Sequence, residues 1–190
     1  MPTTDVIRNS HFHAVRFYKD AESLCGIVRD FLVEGFSDGN PAIVITTPAH
    51  RQMLVRLLGE RGLDANRLQA GGQLFLLDAA EQLATFMVDG VPNASLFRSS
   101  IIPVIQQASG GRRDCMVRAY GEMVDVLWKA GETTAATRLE TLWNDLARTQ
   151  SFSLLCGYAM GNFYKDSAVE EICNHHSHVM SENGKLAFVS

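Results

Sequence analysis

Several familiar patterns are missing from this 190-residue sequence, and each absence removes a class of function. No Gly-x-x-x-x-Gly-Lys-Ser/Thr stretch occurs, so no loop is available whose backbone N–H groups would cradle a triphosphate beside a Mg²⁺-binding hydroxyl. No Cys-x-x-Cys knuckle occurs; the four cysteines (Cys25, Cys115, Cys156, Cys173) are far apart in apolar segments, which argues against a disulfide framework. Lys and Arg never run together beyond the pair Arg112-Arg113, which is read as a loop end, and the net charge is −4, so direct nucleic-acid binding is not expected. No apolar run approaches the roughly 18 residues a membrane span needs, and Met1 to Asp5 lacks a basic-then-apolar leader. The expected location is the cytoplasm, with no membrane contact.

What is present is an ordinary globular composition, 46% apolar and 20% charged, with no internal repeat or low-complexity tract. His11 to Tyr18 alternates as a strand, and Asp20 caps a helix carrying Leu24, Val28, Phe31 and Leu32. Pro41 to Thr47 and Gln73 to Asp78 are short apolar runs of the kind buried on both faces of a parallel sheet. Thr47-Pro48 opens a helix with Met53, Leu54, Leu57 and Leu58. Residues 79–110 are expected to be helical in two pieces broken near Gly90 to Asn93. Asp114 to Tyr120 is a strand ending at a Gly121-Glu122 turn, followed by two helices, a strand over Phe152 to Tyr158, a helix over about 166–180 and a short strand within Lys185 to Val189. Strands alternating with helices predict an α/β three-layer sandwich with a mostly parallel central sheet. Residues 1–10 are expected to be a flexible N-terminus and residues 11–190 a single domain.

Ligands of open α/β sheets bind at the carboxyl ends of the strands, which draws attention to Arg118-Ala-Tyr-Gly-Glu122. Arg118 and Tyr120 share a sheet face. Two readings stand: an Arg118–Glu122 ion pair pinning strand to helix, or an arginine holding an anionic or carbonyl group with Tyr120 as a wall. His13 is either a core-edge histidine with a backbone partner or a polar group in a pocket. Cys156 has apolar sequence neighbours, so packing is its default role and redox sensing the alternative. Cys173-Asn-His-His-Ser-His178 is the densest group of potential metal ligands. On a helix, Cys173 and His176 lie one turn apart, as do His175 and His178. A closed site needs about four ligands, which His13 and Cys156 could complete if the fold brought them close. No metal or other cofactor is expected; Cys173, His176 and His178 are the candidate ligands should there be one.

The order of His13-Ala-Val-Arg-Phe-Tyr18, Arg118-Ala-Tyr-Gly-Glu-Met123, Leu127-Trp128, Leu139-Glu-x-Leu-Trp-Asn144, Leu155-Cys-Gly-Tyr158 and Ile172-Cys-x-x-His176-Ser-His-Val179 resembles the MEDS domain, the methanogen and methylotroph, DcmR-type sensory domain, over about residues 11–180. The resemblance implies a RecA/KaiC-like core without its phosphate loop and a non-enzymatic role in signal transduction. By this resemblance His13, Tyr18, Arg118, Tyr120, Glu122, Cys156, Tyr158 and His176 are the expected ligand-site residues, lining a pocket for a small organic molecule at the strand ends. No output domain is expected beyond the matched span, and the expected partner is a kinase or regulator protein, or a second copy of the chain, meeting the paired helices 122–149. The segment Cys173 to His178 is the expected moving element. Two other readings stay open: a degenerate nucleotide-fold hydrolase or transferase, and a metal- or redox-sensing module using Cys156, Cys173 and His176.

Overall fold

Alternation decides the first strand. β1 (His13–Tyr18) sends Val15 and Phe17 into one apolar cluster and Ala14 and Tyr18 into another, so it is buried on both faces. The computed structural model describes residues 12–112, 114–162, 166–181 and 183–189. The N-terminal segment 1–10 and Arg113, named above as flexible and as a loop end, lie outside these residues. Asp20 accepts the Ser23 N–H at 2.7 Å and caps α1 (Ala21–Ser37), whose Leu24, Val28, Phe31 and Leu32 pack on the sheet.

The apolar runs become β2 (Ala42–Thr46), β3 (Leu74–Asp78), β6 (Val117–Gly121) and β7 (Phe152–Ala159). With β8 (His178–Met180) and β9 (Leu186–Phe188) they form a seven-stranded sheet in the order β3-β2-β6-β7-β1-β8-β9. Every pairing is parallel except β8 with β9. One face is covered by α1, α2 (Pro48–Glu60) and α3 (Ala65–Ala70). The other is covered by α4 (Ala79–Ala84), α5 (Ala94–Ser109), α6 (Met123–Lys129) and α7 (Thr133–Ala147). This is the expected three-layer sandwich.

The two helical pieces expected over 79–110 are α4 and α5, and the break between them holds a hairpin of β4 (Met87–Val88) and β5 (Val91–Pro92), with Asp89 and Gly90 at φ 50° and 77°. An Asp-Gly pair suits the two-residue turn with both central residues left-handed. One expectation fails locally: the final helix is shorter than the 166–180 expected. α8 (Asp166–Cys173) stops at Cys173, and the chain turns into β8. The free edge of β1 explains the switch: Ser177 N–H donates to the His13 carbonyl at 2.8 Å, and Ala14 and Val15 pair with His178 and Val179. A strand edge left with unpaired backbone groups captures the segment, and sheet pairing outweighs the weak helix preference of Asn174 and the histidines. His176 and His178 are therefore not on a helix with Cys173.

Candidate functional site

The expected site residues fall into three separate places. The first is at the carboxyl ends of β1, β2 and β6. Glu122, the residue before α6, is 1% exposed. Its carboxylate accepts the Thr47 N–H at 2.9 Å, the Tyr120 hydroxyl at 2.8 Å and His50 Nδ1–H at 2.6 Å. Burial alone would raise the Glu122 pKa, but these donors win and hold it below its ordinary value. His50, from the first turn of α2, moves the other way: its bond to Glu122 outweighs burial and raises its pKa. Beside it, Tyr18 donates to Asp125 Oδ2 at 2.9 Å, Lys129 Nζ bonds Asp125 Oδ2 at 2.6 Å and the Tyr18 hydroxyl at 3.0 Å, and the Ala159 N–H closes on Asp125 Oδ1 at 2.9 Å. Burial, then Asp125, pushes the Tyr18 phenol upward. These groups satisfy one another and tie four strand ends to two helices.

The second place lies under α7, on the opposite face. There His13, Cys156, Tyr158 and His176, expected in one pocket with Tyr18, Arg118, Tyr120 and Glu122, converge instead around a carboxylate not singled out from the sequence: Glu140, 1% exposed. Tyr158 donates to Glu140 Oε1 at 2.8 Å. Glu140 Oε2 is 3.2 Å from His13 Nε2, and Oε1 is 3.4 Å from His176 Nε2. Cys156 Sγ lies 3.3 Å from His13 Nε2 and 3.8 Å from Glu140 Oε2. Burial would raise Glu140; the His176 and His13 imidazoles in their protonated form, together with the Tyr158 hydroxyl, outweigh it and hold the carboxyl well below the usual range. Burial drives His176 down to about 4, so its ring is uncharged at neutral pH and its contact with Glu140 is not an ion pair. Asn144 Oδ1, 2.9 Å from His13 Nδ1, completes a Cys156–His13–Asn144 alignment that has the order of a thiol, base and orienting amide. It is a poor nucleophile: Cys156 is 1% exposed, and burial and the Glu140 carboxylate push its thiol pKa well up. Cys173 and His178, the other expected ligands, are outside this cluster; His178 Nδ1 is 2.8 Å from the Ser177 hydroxyl.

Arg118 stands apart from both. It does not pair with Glu122. Four residues along an extended chain separate them by roughly 13 Å, and the Glu122 oxygens are already taken. The guanidinium instead lies against the rings of Phe31 and Phe12, 5.0 and 6.0 Å from their centroids. Arg118 is 2% exposed, its Nε has no partner, and burial lowers its pKa despite the charges of Glu34 and Asp38. Gly35 makes the seat possible: a Cβ there would stand 2.5 Å from Arg118 Cγ. Arg118 borders a cavity of about 740 Å³ between α1 and the β8–β9 hairpin, with Phe12, Ile27, Phe31, Met180 and Leu186 among its lining.

His50, Asp125, Lys129, Glu140 and Asn144 are the side chains of these networks that were not singled out from the sequence. Glu140 carried a signal, because it sits within the stripe of Ala136, Leu139 and Trp143, where a carboxylate is costly unless partnered. Among the described residues no helix is long and apolar enough to cross a membrane.

Among solved structures, a KaiC-like protein of Pyrococcus horikoshii OT3 is similar, with a TM-score of 0.63 and 14% identity over 88% of this chain and 70% of that one. An uncharacterized protein of Pyrococcus horikoshii in complex with an unknown peptide is also similar, with a TM-score of 0.58 and 14% identity over 95% of this chain and 84% of the other. At such identity the likeness shows a RecA/KaiC-type fold and nothing further. No curated protein matches the sequence. The MEDS family profile, described as the methanogen/methylotroph, DcmR sensory domain, matches residues 12–177. That span takes in the strand ends and the Glu140 cluster, and the chain belongs to the MEDS family of sensory domains.

Proposed function

We propose that residues 11–190 act as one non-enzymatic sensory domain, working in the cytoplasm, that binds a small organic ligand in the cavity beside α1 and passes its occupancy to a partner protein. The observation that carries this reading is Arg118: a cation 2% exposed, with an unpartnered Nε, at the edge of an open cavity. Leaving such a group without a hydrogen-bond acceptor costs on the order of several kcal/mol, and a carboxylate or carbonyl oxygen of a ligand would relieve it. Phe12, Ile27, Phe31 and Leu186 supply apolar walls for the rest of the molecule. The ligand thus moves from the strand ends, where the Glu122 network is self-satisfied, to the flank of α1. Three buried cysteines and a fourth half-buried one, all free, suit a reducing compartment.

The cavity's outer wall is the β8–β9 hairpin, where Phe188 is 76% exposed on an edge strand. A hairpin drawn onto the ligand is the element a kinase, a regulator or a second copy of the chain would read. The paired helices 122–149 offer less, because α6 is buried from Met123 to Trp128 apart from a half-buried Val126. A catalytic reading rests on the Cys156–His13–Asn144 alignment, and the enclosed, carboxylate-flanked thiol opposes it.

Native mass spectrometry of undialysed protein tests the proposal. A small-molecule adduct on the wild type that is absent from Arg118→Met supports it; no adduct, or equal adducts on both proteins, would refute it.

A further inference from the structure

We propose that His13, Glu140, Cys156 and His176 are the ligands of a buried site for a divalent transition-metal ion, zinc being the ion this donor set suits best. The four donor atoms come from β1, α7, β7 and the turn between α8 and β8, and all lie within 4.8 Å of one another. Two imidazoles, a thiol and a carboxylate are the mixed N, S and O donors that zinc accepts in four-coordinate sites. Ligands held about 2.0–2.3 Å from a tetrahedral ion stand on the order of 3.3–3.8 Å apart. The separations found are 3.2 Å from His13 Nε2 to Glu140 Oε2, 3.3 Å from His13 Nε2 to Cys156 Sγ and 3.8 Å from Cys156 Sγ to the same Oε2, while His176 Nε2 stands 3.4 Å from the other carboxylate oxygen, Oε1.

The orientation of the rings carries the inference further than the spacing does. His176 Nδ1 is 2.7 Å from the Ile172 carbonyl, which only accepts, so the proton is on Nδ1. Its Nε2 then points inward and has no hydrogen-bond partner. Asn144 donates Nδ2–H to the His175 carbonyl at 2.8 Å, which turns its Oδ1 to His13 Nδ1 at 2.9 Å. His13 therefore also donates from Nδ1 and aims Nε2 at the same centre. Two histidines whose Nδ1–H groups are anchored to oxygen acceptors, with both Nε2 atoms converging on a carboxylate and a sulfur, reproduce the outer-shell arrangement of metal-bound imidazoles. Without an ion, His176 Nε2 has no hydrogen-bond partner and His13 Nε2 has only the Cys156 thiol, at 3.3 Å. With one, both nitrogen lone pairs are taken up, and the Tyr158 hydroxyl stays on Glu140 Oε1 to fix the carboxylate. Binding would convert the Cys156 thiol to a thiolate and release one proton to solvent. The ion would also staple the α8–β8 turn to the core, because His176 is its ligand from that turn.

The test uses the full-length chain freed of any polyhistidine tag. Elemental analysis after purification is expected to give about one zinc per chain. Cobalt(II) added to the metal-free protein is expected to give a thiolate-to-cobalt charge-transfer band that Cys156→Ser abolishes and Cys173→Ser leaves unchanged. Asn144→Ala, which keeps all four donors, is expected to weaken cobalt binding about 10–100-fold. It serves as the deciding variant if Cys156→Ser does not fold. A folded wild-type chain that takes up neither zinc nor cobalt would overturn the proposal. So would a band that survives in Cys156→Ser, or a cobalt affinity unchanged by Asn144→Ala.

Discussion

Replacing Glu122 by glutamine tests how the strand ends are held together. The carboxylate takes two donors on Oε1 (Tyr120 and His50) and one on Oε2 (Thr47 N–H), and it is 1% exposed. A glutamine keeps one oxygen. Placed toward Tyr120 and His50, it retains those bonds without the charge and turns its –NH₂ against the Thr47 N–H. A hydrogen bond to a charged group contributes about 1.5–3 kcal/mol, and neutral ones about half. One bond lost and two halved come to about 3–6 kcal/mol of stability, read by urea unfolding near pH 6. The pH dependence gives a second readout. His50 has a raised folded pKa, so its contribution is fully present below the unfolded value of about 6.5 and is lost as pH rises through the folded value. Glu122 has a lowered pKa, so its contribution is present above about 4.3 and is lost as pH falls through the folded value. The pair is strongest between those limits. Wild-type stability should decline above about pH 6.5, and Glu122→Gln should remove that part of the decline. A loss below about 1 kcal/mol, or the same alkaline slope in the variant, would refute this reasoning.

Other substitutions probe different parts of the structure. Arg118→Met places an apolar chain between Phe12 and Phe31 and should leave ligand-free stability unchanged or raise it by up to about 2 kcal/mol in urea unfolding; a drop of several kcal/mol would mean that the guanidinium is a structural partner. Gly157→Ala would set a Cβ 2.9 Å from the hydroxyl of Tyr120, itself 1% exposed, and should cost about 1–3 kcal/mol. Tyr120→Phe in the same chain should recover part of that loss, and simple additivity of the two changes would count against the clash. Asp20→Ala removes the acceptor for the Ser23 N–H and should lower stability by about 1 kcal/mol in thermal unfolding.

What could be read from the sequence divides along the range of the interactions. Pro41 to Thr47 and Gln73 to Asp78 are identifiable as buried strands because burial on two faces leaves no polar positions, a local signal. The shared face of Arg118 and Tyr120 follows from the two-residue period of a strand. The partner of Arg118 does not, because Phe12 and Phe31 reach it only through the parallel stacking of β1, β7 and β6 under α1. The same holds for Cys156 and His13, 143 positions apart and joined only once β1 and β7 pair. The failure at Cys173 to His178 was of another kind: helical spacing was read into a segment whose backbone is claimed by the open edge of β1. Asp89-Gly90 was legible as a hairpin turn, since both residues tolerate positive φ, but the flanking strands of two residues each gave no period to support it.

The central claim, that Arg118 anchors a ligand beneath α1, is tested most directly by a crystal structure of undialysed protein. The account predicts density for a small organic molecule in the cavity, with an oxygen at about 2.7–2.9 Å from the Arg118 guanidinium and an apolar part against Phe12 and Phe31. A cavity holding only water, with Arg118 turned onto Glu34 or Asp38, would contradict it.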